Sequence, residues 1–176
     1  PAYYYNAAVI ETRRRLKELN KKLKKLALRD SLTNLLNRRA MNRKIEQKVE
    51  KGEESNFVMI IADIDDFKMV NDQYGHNYGD FVLKEIAKLM KYELKGYGMV
   101  SRWGGEEFLI FLPQVKLKQG LAVAKRLKEK IANHDFRHKG KSLHITITMG
   151  VSEYNAGIDL EECIREADQA LYRGKQ

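Results

Sequence analysis

The sequence predicts an α+β domain in which an antiparallel sheet is flanked by helices, with a separate helix leading into it. Three observations carry this prediction. Phe57 to Ala62 is a continuous apolar run of strand length, two further apolar segments meet at Gly104-Gly105, and the stretches between strands have apolar residues at helical spacing. The chain has 176 residues, enough for one domain and a modest extension. Hydrophobic residues make up 43% of it, which supports one sizeable core, and 32% are charged, which suits a soluble surface. Cys163 is the only cysteine, so an intrachain disulfide is excluded and a reducing compartment expected. No apolar run approaches the ~20 residues of a membrane helix, and no signal-peptide pattern opens the chain. It starts at Pro1 rather than Met, and we read it as part of a longer protein.

The elements follow in order. Lys and Arg number 33 against 24 Asp and Glu, a net charge of +9 that favours an anionic partner. Residues 13 to 29 hold nine cations against Glu18 alone, so nearly all the excess sits in one segment and a general nucleic-acid surface is not indicated. That segment is periodic: Val9, Leu16, Leu19, Leu23 and Leu26 fall on the a/d seam of a coiled coil. Such a seam needs a partner helix, most simply in a parallel dimer; the alternative is an amphipathic helix lying on its own domain. The capping cluster Asp30 to Asn34 should turn the chain. Ala40, Met41, Ile45 and Val49 then mark a helix ending near Gly52. After the Phe57 strand, Phe81 to Leu94 has helical spacing and stops at Gly96 and Gly98. Strands Met99 to Trp103 and Glu106 to Leu112 are joined by Gly104-Gly105, read as a two-residue hairpin loop whose glycines supply positive φ. Leu121 to Ile131 reads as a helix, His144 to Val151 as a strand and Leu160 to Tyr172 as a last helix. This order is a split βαβ, ferredoxin-like arrangement with helices on one face of the sheet. Polymerase palms, nucleotidyl cyclases and RNA-binding modules all use it, so function must come from the site.

The first strand ends in Asp63-Ile64-Asp65-Asp66. Alternation puts Asp63 and Asp65 on one side, where carboxylates repel one another unless a cation holds them. Either this is a solvated acidic turn, or it holds a hard divalent ion such as Mg²⁺ together with phosphate oxygens. Glu106 and Glu107 add two carboxylates at the start of an apolar strand. The first strand lies beside the third in this topology, so Asp63 and Glu106 can converge, while alternation sends Glu106 and Glu107 to opposite faces. His134, His138 and His144 have no metal-ligand spacing and read as structural or surface residues. Taken alone, Asp80 reads as a helix N-cap, Asn71 as a turn residue, and Lys68, Arg102 and Lys175 as surface cations.

Trp103-Gly104-Gly105-Glu106-Glu107-Phe108 resembles the signature of the GGDEF family, the bacterial diguanylate cyclases, in its GGEEF form. The resemblance extends over Asp63 to Lys68, Asn71-Asp72, Gly75-His76 and Gly79-Asp80. It also takes in an opening motif from Asp30 to Thr33 with Leu35, Asn37 and Arg38, and a closing one from Ala167 to Lys175. It implies a domain at residues 30–176 behind a signalling helix at 1–29, condensing two GTP into cyclic di-GMP across two facing copies. It further implies Asp63, the Ile64 carbonyl and Glu106 as ligands of Mg²⁺ (Mn²⁺ can substitute), with Glu107 close by. Glu106 would also accept the proton and Lys68 would stabilise the transition state. GTP would be held by Phe67, Lys68, Asn71, His76, Asp80, Arg102 and Lys175, Asp80 accepting from guanine N1–H and N2–H₂. The expected setting is a cytoplasmic domain, paired through its N-terminal helix. An upstream sensory region, or an inner-membrane anchor in the parent, would control it. The rival readings are a silent GTP-binding sensor and an RNA-binding module. One departure stands out: the family's Arg-x-x-Asp product-inhibition site corresponds to Lys95, Gly96, Tyr97 and Gly98. Lysine does not reproduce a bidentate guanidinium contact, so tight feedback inhibition there is not expected.

Overall fold

The computed structural model describes residues 9–19, 28–52, 55–155 and 159–176. Residues 9–19 form helix α1, and the seam positions Leu23 and Leu26 lie outside the described residues. The domain then runs β1 (Leu36–Asn37), α2 (Arg38–Glu50), β2 (Asn56–Ile64), α3 (Phe67–Tyr74), α4 (His76–Glu93), β3 (Met99–Arg102) and β4 (Glu107–Pro113). It continues with α5 (Leu117–Ala132), β5 (Phe136–His138), β6 (Lys141–Leu143), β7 (Ile147–Asn155) and α6 (Leu160–Lys175).

The main sheet has the order β1-β3-β4-β2-β7. Its four long strands pair antiparallel, as the split βαβ reading requires, and the short β1 adds parallel to β3, making the sheet mixed. Helices cover both faces rather than one. Alternation along β2 explains this, because every residue from Phe57 to Ala62 is buried. Val58, Ile60 and Ala62 meet α4 and α5 through Val82, Ile86, Leu127 and Ile131. Phe57, Met59 and Ile61 meet α2 and α6 through Met41, Ile45, Cys163, Ala167 and Leu171.

Several local expectations are corrected. α3 has no apolar periodicity to announce it: its eight residues bury only Phe67 and Val70, and its N-cap, Asp66, is left-handed at φ 54° with no side-chain cap bond. α4 begins at His76, five residues before Phe81, where the apolar spacing becomes visible, and this added stretch already buries Tyr78 and Gly79. β7 is displaced toward Asn155, as its second half alternates and so hides its strand character behind Ser152 and Glu153. The β5–β6 hairpin is too short and polar to read, although its turn residues Lys139 and Gly140 both have positive φ.

The signature loop also differs. β3 and β4 are separated by Trp103 to Glu106, and neither Gly104 nor Gly105 has positive φ. Gly104 is required for a different reason: a Cβ there would sit 2.6 Å from Glu107 Oε2. Its missing side chain is the space in which the Glu107 carboxylate lies.

Candidate active site

The C-terminal end of β2, the start of α3, the first turns of α4 and the β3–β4 loop surround a cleft of about 530 Å³. Phe67, Lys68, Asn71, Asp72, His76, Asp80, Leu83, Arg102, Gly105 and Glu106 line it. Six residues expected to touch a nucleotide therefore share one cavity with Glu106. The plainer readings of two of them fail. Asp80 is the fifth residue of α4, whose N-cap is Gly75, and Asn71 lies within α3. Gly75, at φ 85°, makes the elbow between the two helices, and its amide donates to the Asn71 carbonyl at 2.8 Å. Gly79 lets them close: a Cβ there would lie 2.0 Å from Asn71 Oδ1 and 3.1 Å from Phe67 Cζ.

The acidic residues divide between the two faces. In the β2–β4 register the partner of Asp63 is Glu107, not Glu106, and the Ile64 amide donates to the Glu106 carbonyl at 3.4 Å. Glu106 thus faces the cleft beside the Ile64 backbone, while Asp63 and Glu107 turn toward α6. Asp65 is committed elsewhere, accepting from the Thr146 and Thr148 hydroxyls at 2.7 Å each. The Lys175 ammonium donates to Asp63, so this lysine meets a carboxylate rather than the cleft.

Arg102 lines the cleft but is held by protein groups. Its Nε and Nη2 donate to the Gly105 carbonyl at 3.0 and 2.8 Å, and Nη1 reaches the Asp30 carboxylate at 3.2 Å. Burial opposes ionisation of Asp30. Hydrogen bonds from the Thr33 hydroxyl and amide, with the Arg102 charge, outweigh it and hold that carboxyl below its ordinary value. Arg38 lies 4.5 Å above the ring of Trp103, the first residue of the loop. The opening motif is therefore tied to the signature loop, a link that spacing alone does not reveal.

Glu107 shows what the acidic group lacks. Burial raises its carboxyl pKa first, and the charges of Asp63, Asp168 and Glu106 add to the rise, with Lys175 the opposing cation. Asp168, on α6, was not singled out from sequence as an acid of this cluster. Negative charge around Glu107 exceeds what Lys175 offsets, and carboxylates are the hard oxygen donors that a divalent cation carrying phosphate takes. Among the described residues no three acidic, His or Cys side chains are already gathered at metal-ligand geometry. The fit therefore lies in charge and donor type.

The family model described as "Diguanylate cyclase, GGDEF domain" matches residues 27–176. The chain belongs to the GGDEF family. It is 39% identical over 152 residues to diguanylate cyclase DgcP of Pseudomonas aeruginosa, covering 85% of this chain and 23% of that protein. The chain spans between 23% and 50% of the length of the first three curated relatives it matches. Among solved structures, diguanylate cyclase SiaD of P. aeruginosa, in complex with its activator SiaC, superposes with a TM-score of 0.81 at 36% identity. That match covers 97% of this chain and 67% of that one. The coiled coil and GGDEF domain of DgcB from Caulobacter crescentus, in complex with c-di-GMP, gives 0.89 at 25% identity, covering 96% and 91%. Among the described residues, no helix is long and apolar enough to cross a membrane.

Proposed function

We propose that this GGDEF domain condenses two GTP molecules into cyclic di-GMP, releasing two pyrophosphates, with two copies each presenting one GTP. The observation that carries the proposal is the shared cleft in which Glu106 meets Lys68, Asn71, His76 and Asp80. In each half-reaction the 3′-hydroxyl oxygen of one GTP attacks the α-phosphorus of the other. The bond from that phosphorus to the bridging oxygen breaks, and pyrophosphate leaves with the electron pair. Glu106, at the edge of the cleft, is placed to accept the hydroxyl proton, and Lys68 to balance charge growing on the phosphates. Asp80 and Asn71 read the guanine edge, His76 sits beside them, and Phe67 forms the wall of the cleft. Mg²⁺ or Mn²⁺, supplying neutralisation of phosphate charge, would draw on Glu106 and the Ile64 carbonyl from the cleft side and on Asp63, with Glu107 next to it, from the other face of the strand end. Arg102 shapes the signature loop, and Lys175 acts through Asp63.

The division at residue 29 is supported by the family match, which begins at residue 27. Leu16 and Leu19 are 58% and 51% exposed, so these α1 seam residues are not packed on the domain and a second copy is the partner we assign to them. An upstream sensory or membrane region would act through that helix. The RNA-module reading loses its support, because Phe108 and Phe111 on β4 are fully buried and offer no stacking surface.

Incubation with GTP and Mg²⁺ followed by chromatography is expected to yield cyclic di-GMP, and EDTA to suppress it. Stoichiometric GTP binding without product would leave the silent sensor standing. Gly79→Ala is expected to leave the fold intact, as the Asn71 side chain can swing away from the new methyl. That displacement should weaken GTP binding by about tenfold, the equivalent of one hydrogen bond of ~1.4 kcal/mol. Calorimetry with a GTP analogue that resists cleavage reads this directly.

A further inference from the structure

The β5–β6 hairpin, which neither the sequence nor the catalytic scheme accounts for, lies against the back of the α3–α4 elbow. The Tyr78 hydroxyl donates to the Phe136 carbonyl at 2.5 Å, with the Lys141 carbonyl 3.4 Å away. The His138 ring stacks on Phe81 with centroids 4.6 Å apart and 17° between planes, and meets Tyr78 edge-on. Lys141 sits 5.3 Å over the Tyr74 ring. Three aromatic residues, one from α3 and two from α4, are thus held by one short hairpin. Tyr78 is 4% exposed, so its hydroxyl has exchanged water for these carbonyls, and the anchor is specific in direction.

What the elbow carries on its other side is the cleft. Tyr78 is adjacent to Gly79, whose Cα hydrogen faces the Asn71 carboxamide, and Asp80 follows at once. The Tyr78 and Gly79 amides both donate to the Gly75 carbonyl, at 3.0 and 3.3 Å, so Tyr78, Gly79 and the elbow belong to one hydrogen-bonded turn of α4. A rotation of that unit moves Asp80 relative to Asn71. The cleft side has no contact from β5 or β6, since neither strand lines it.

We infer that Tyr78, anchored by the β5–β6 hairpin, is a positioning residue that sets guanine selectivity by fixing Asp80 against Asn71. The inference rests on the proposal that these two residues read the base. Inosine lacks the exocyclic 2-amino group of guanine, so preference for guanosine over inosine triphosphate reports on how well Asp80 is placed.

The test is equilibrium binding, by calorimetry, of the α,β-methylene analogues of GTP and ITP to the whole chain and to Tyr78→Phe, His138→Leu and Asp80→Asn. Tyr78→Phe is expected to lower the GTP-to-ITP affinity ratio by ~2–10-fold, the range spanned by one net hydrogen bond. His138→Leu, which removes a partly exposed ring without leaving a buried group unpaired, is expected to lower it by a smaller factor. It keeps the test decisive if Tyr78→Phe folds poorly. A purely structural role would change the melting temperature and scale both affinities together, leaving their ratio alone. If Tyr78→Phe and His138→Leu both keep the wild-type ratio, the inference is wrong whatever Asp80→Asn does. Asp80→Asn separately reports on base reading: an unchanged ratio there removes Asp80 from that role and overturns both the base-reading assignment and this inference. A lowered ratio in Asp80→Asn with wild-type ratios in the hairpin variants overturns this inference alone.

Discussion

Replacing Glu106 with glutamine is expected to lower the rate of cyclic di-GMP formation by ~10²–10³, the usual loss when one preorganised charged group is removed from such a site. The substitution keeps size and polarity, so the fold and the cleft should persist. Glu106 lies between the cleft and the Ile64 backbone, with no packing role in either core. GTP affinity measured without turnover should therefore fall far less than the rate. A rate within threefold of wild type would remove Glu106 from the chemistry and shift attention to Glu107.

Glutamine at Glu107 should separate stability from activity. Burial, followed by the charges of Asp63, Asp168 and Glu106, raises this carboxyl's pKa in the folded chain. The folded state then binds a proton more readily than the unfolded state, so between the unfolded and folded pKa values stability falls as pH rises. Above the folded pKa the cost of the ionised carboxylate is fully present; below the unfolded pKa it is absent. Glu107→Gln is expected to raise the melting temperature of the metal-free protein at neutral to alkaline pH, by ~2–4 °C for each kcal/mol relieved. The gain should shrink as pH is lowered toward the ordinary glutamate range. Activity should fall, because the same crowding of charge is what a divalent ion would relieve. Thermal melts of both proteins across pH check the sign: a gain that grew on acidification would contradict the account.

The sequence made the sheet legible where burial was two-sided, as at Phe57 to Ala62, and where glycines marked a loop, as at Gly104-Gly105. It made the site residues legible through motif spacing, and Phe67, Asn71, His76 and Asp80 do lie on one cavity. What it hid has common physical causes. α3 and the first turn of α4 are held by a left-handed Asp66, by Gly75 and by the close approach at Gly79, none of which produces apolar periodicity. The resemblance offers Lys175 and Arg102 to the phosphates, but motif position does not say which protein carboxylate or carbonyl is nearer. Here these are Asp63 for Lys175, and Asp30 and Gly105 for Arg102. The pairing of Asp63 with Glu107 depends on strand register, a property of two segments together. The paired glycines of the signature loop suggest positive φ, yet neither adopts it, and Gly104 serves space instead, because where the Glu107 carboxylate falls depends on the folded loop.

The most direct measurement is the initial rate of cyclic di-GMP formation as a function of protein concentration, with GTP and Mg²⁺ saturating. If two copies must each bring one nucleotide, specific activity should climb with concentration below the dimerisation constant and then level off. Product formed at a specific activity that stays constant down to concentrations at which sedimentation shows only monomer would contradict the pairing of two half-sites. No product at any concentration, with GTP bound, would contradict the proposed reaction itself.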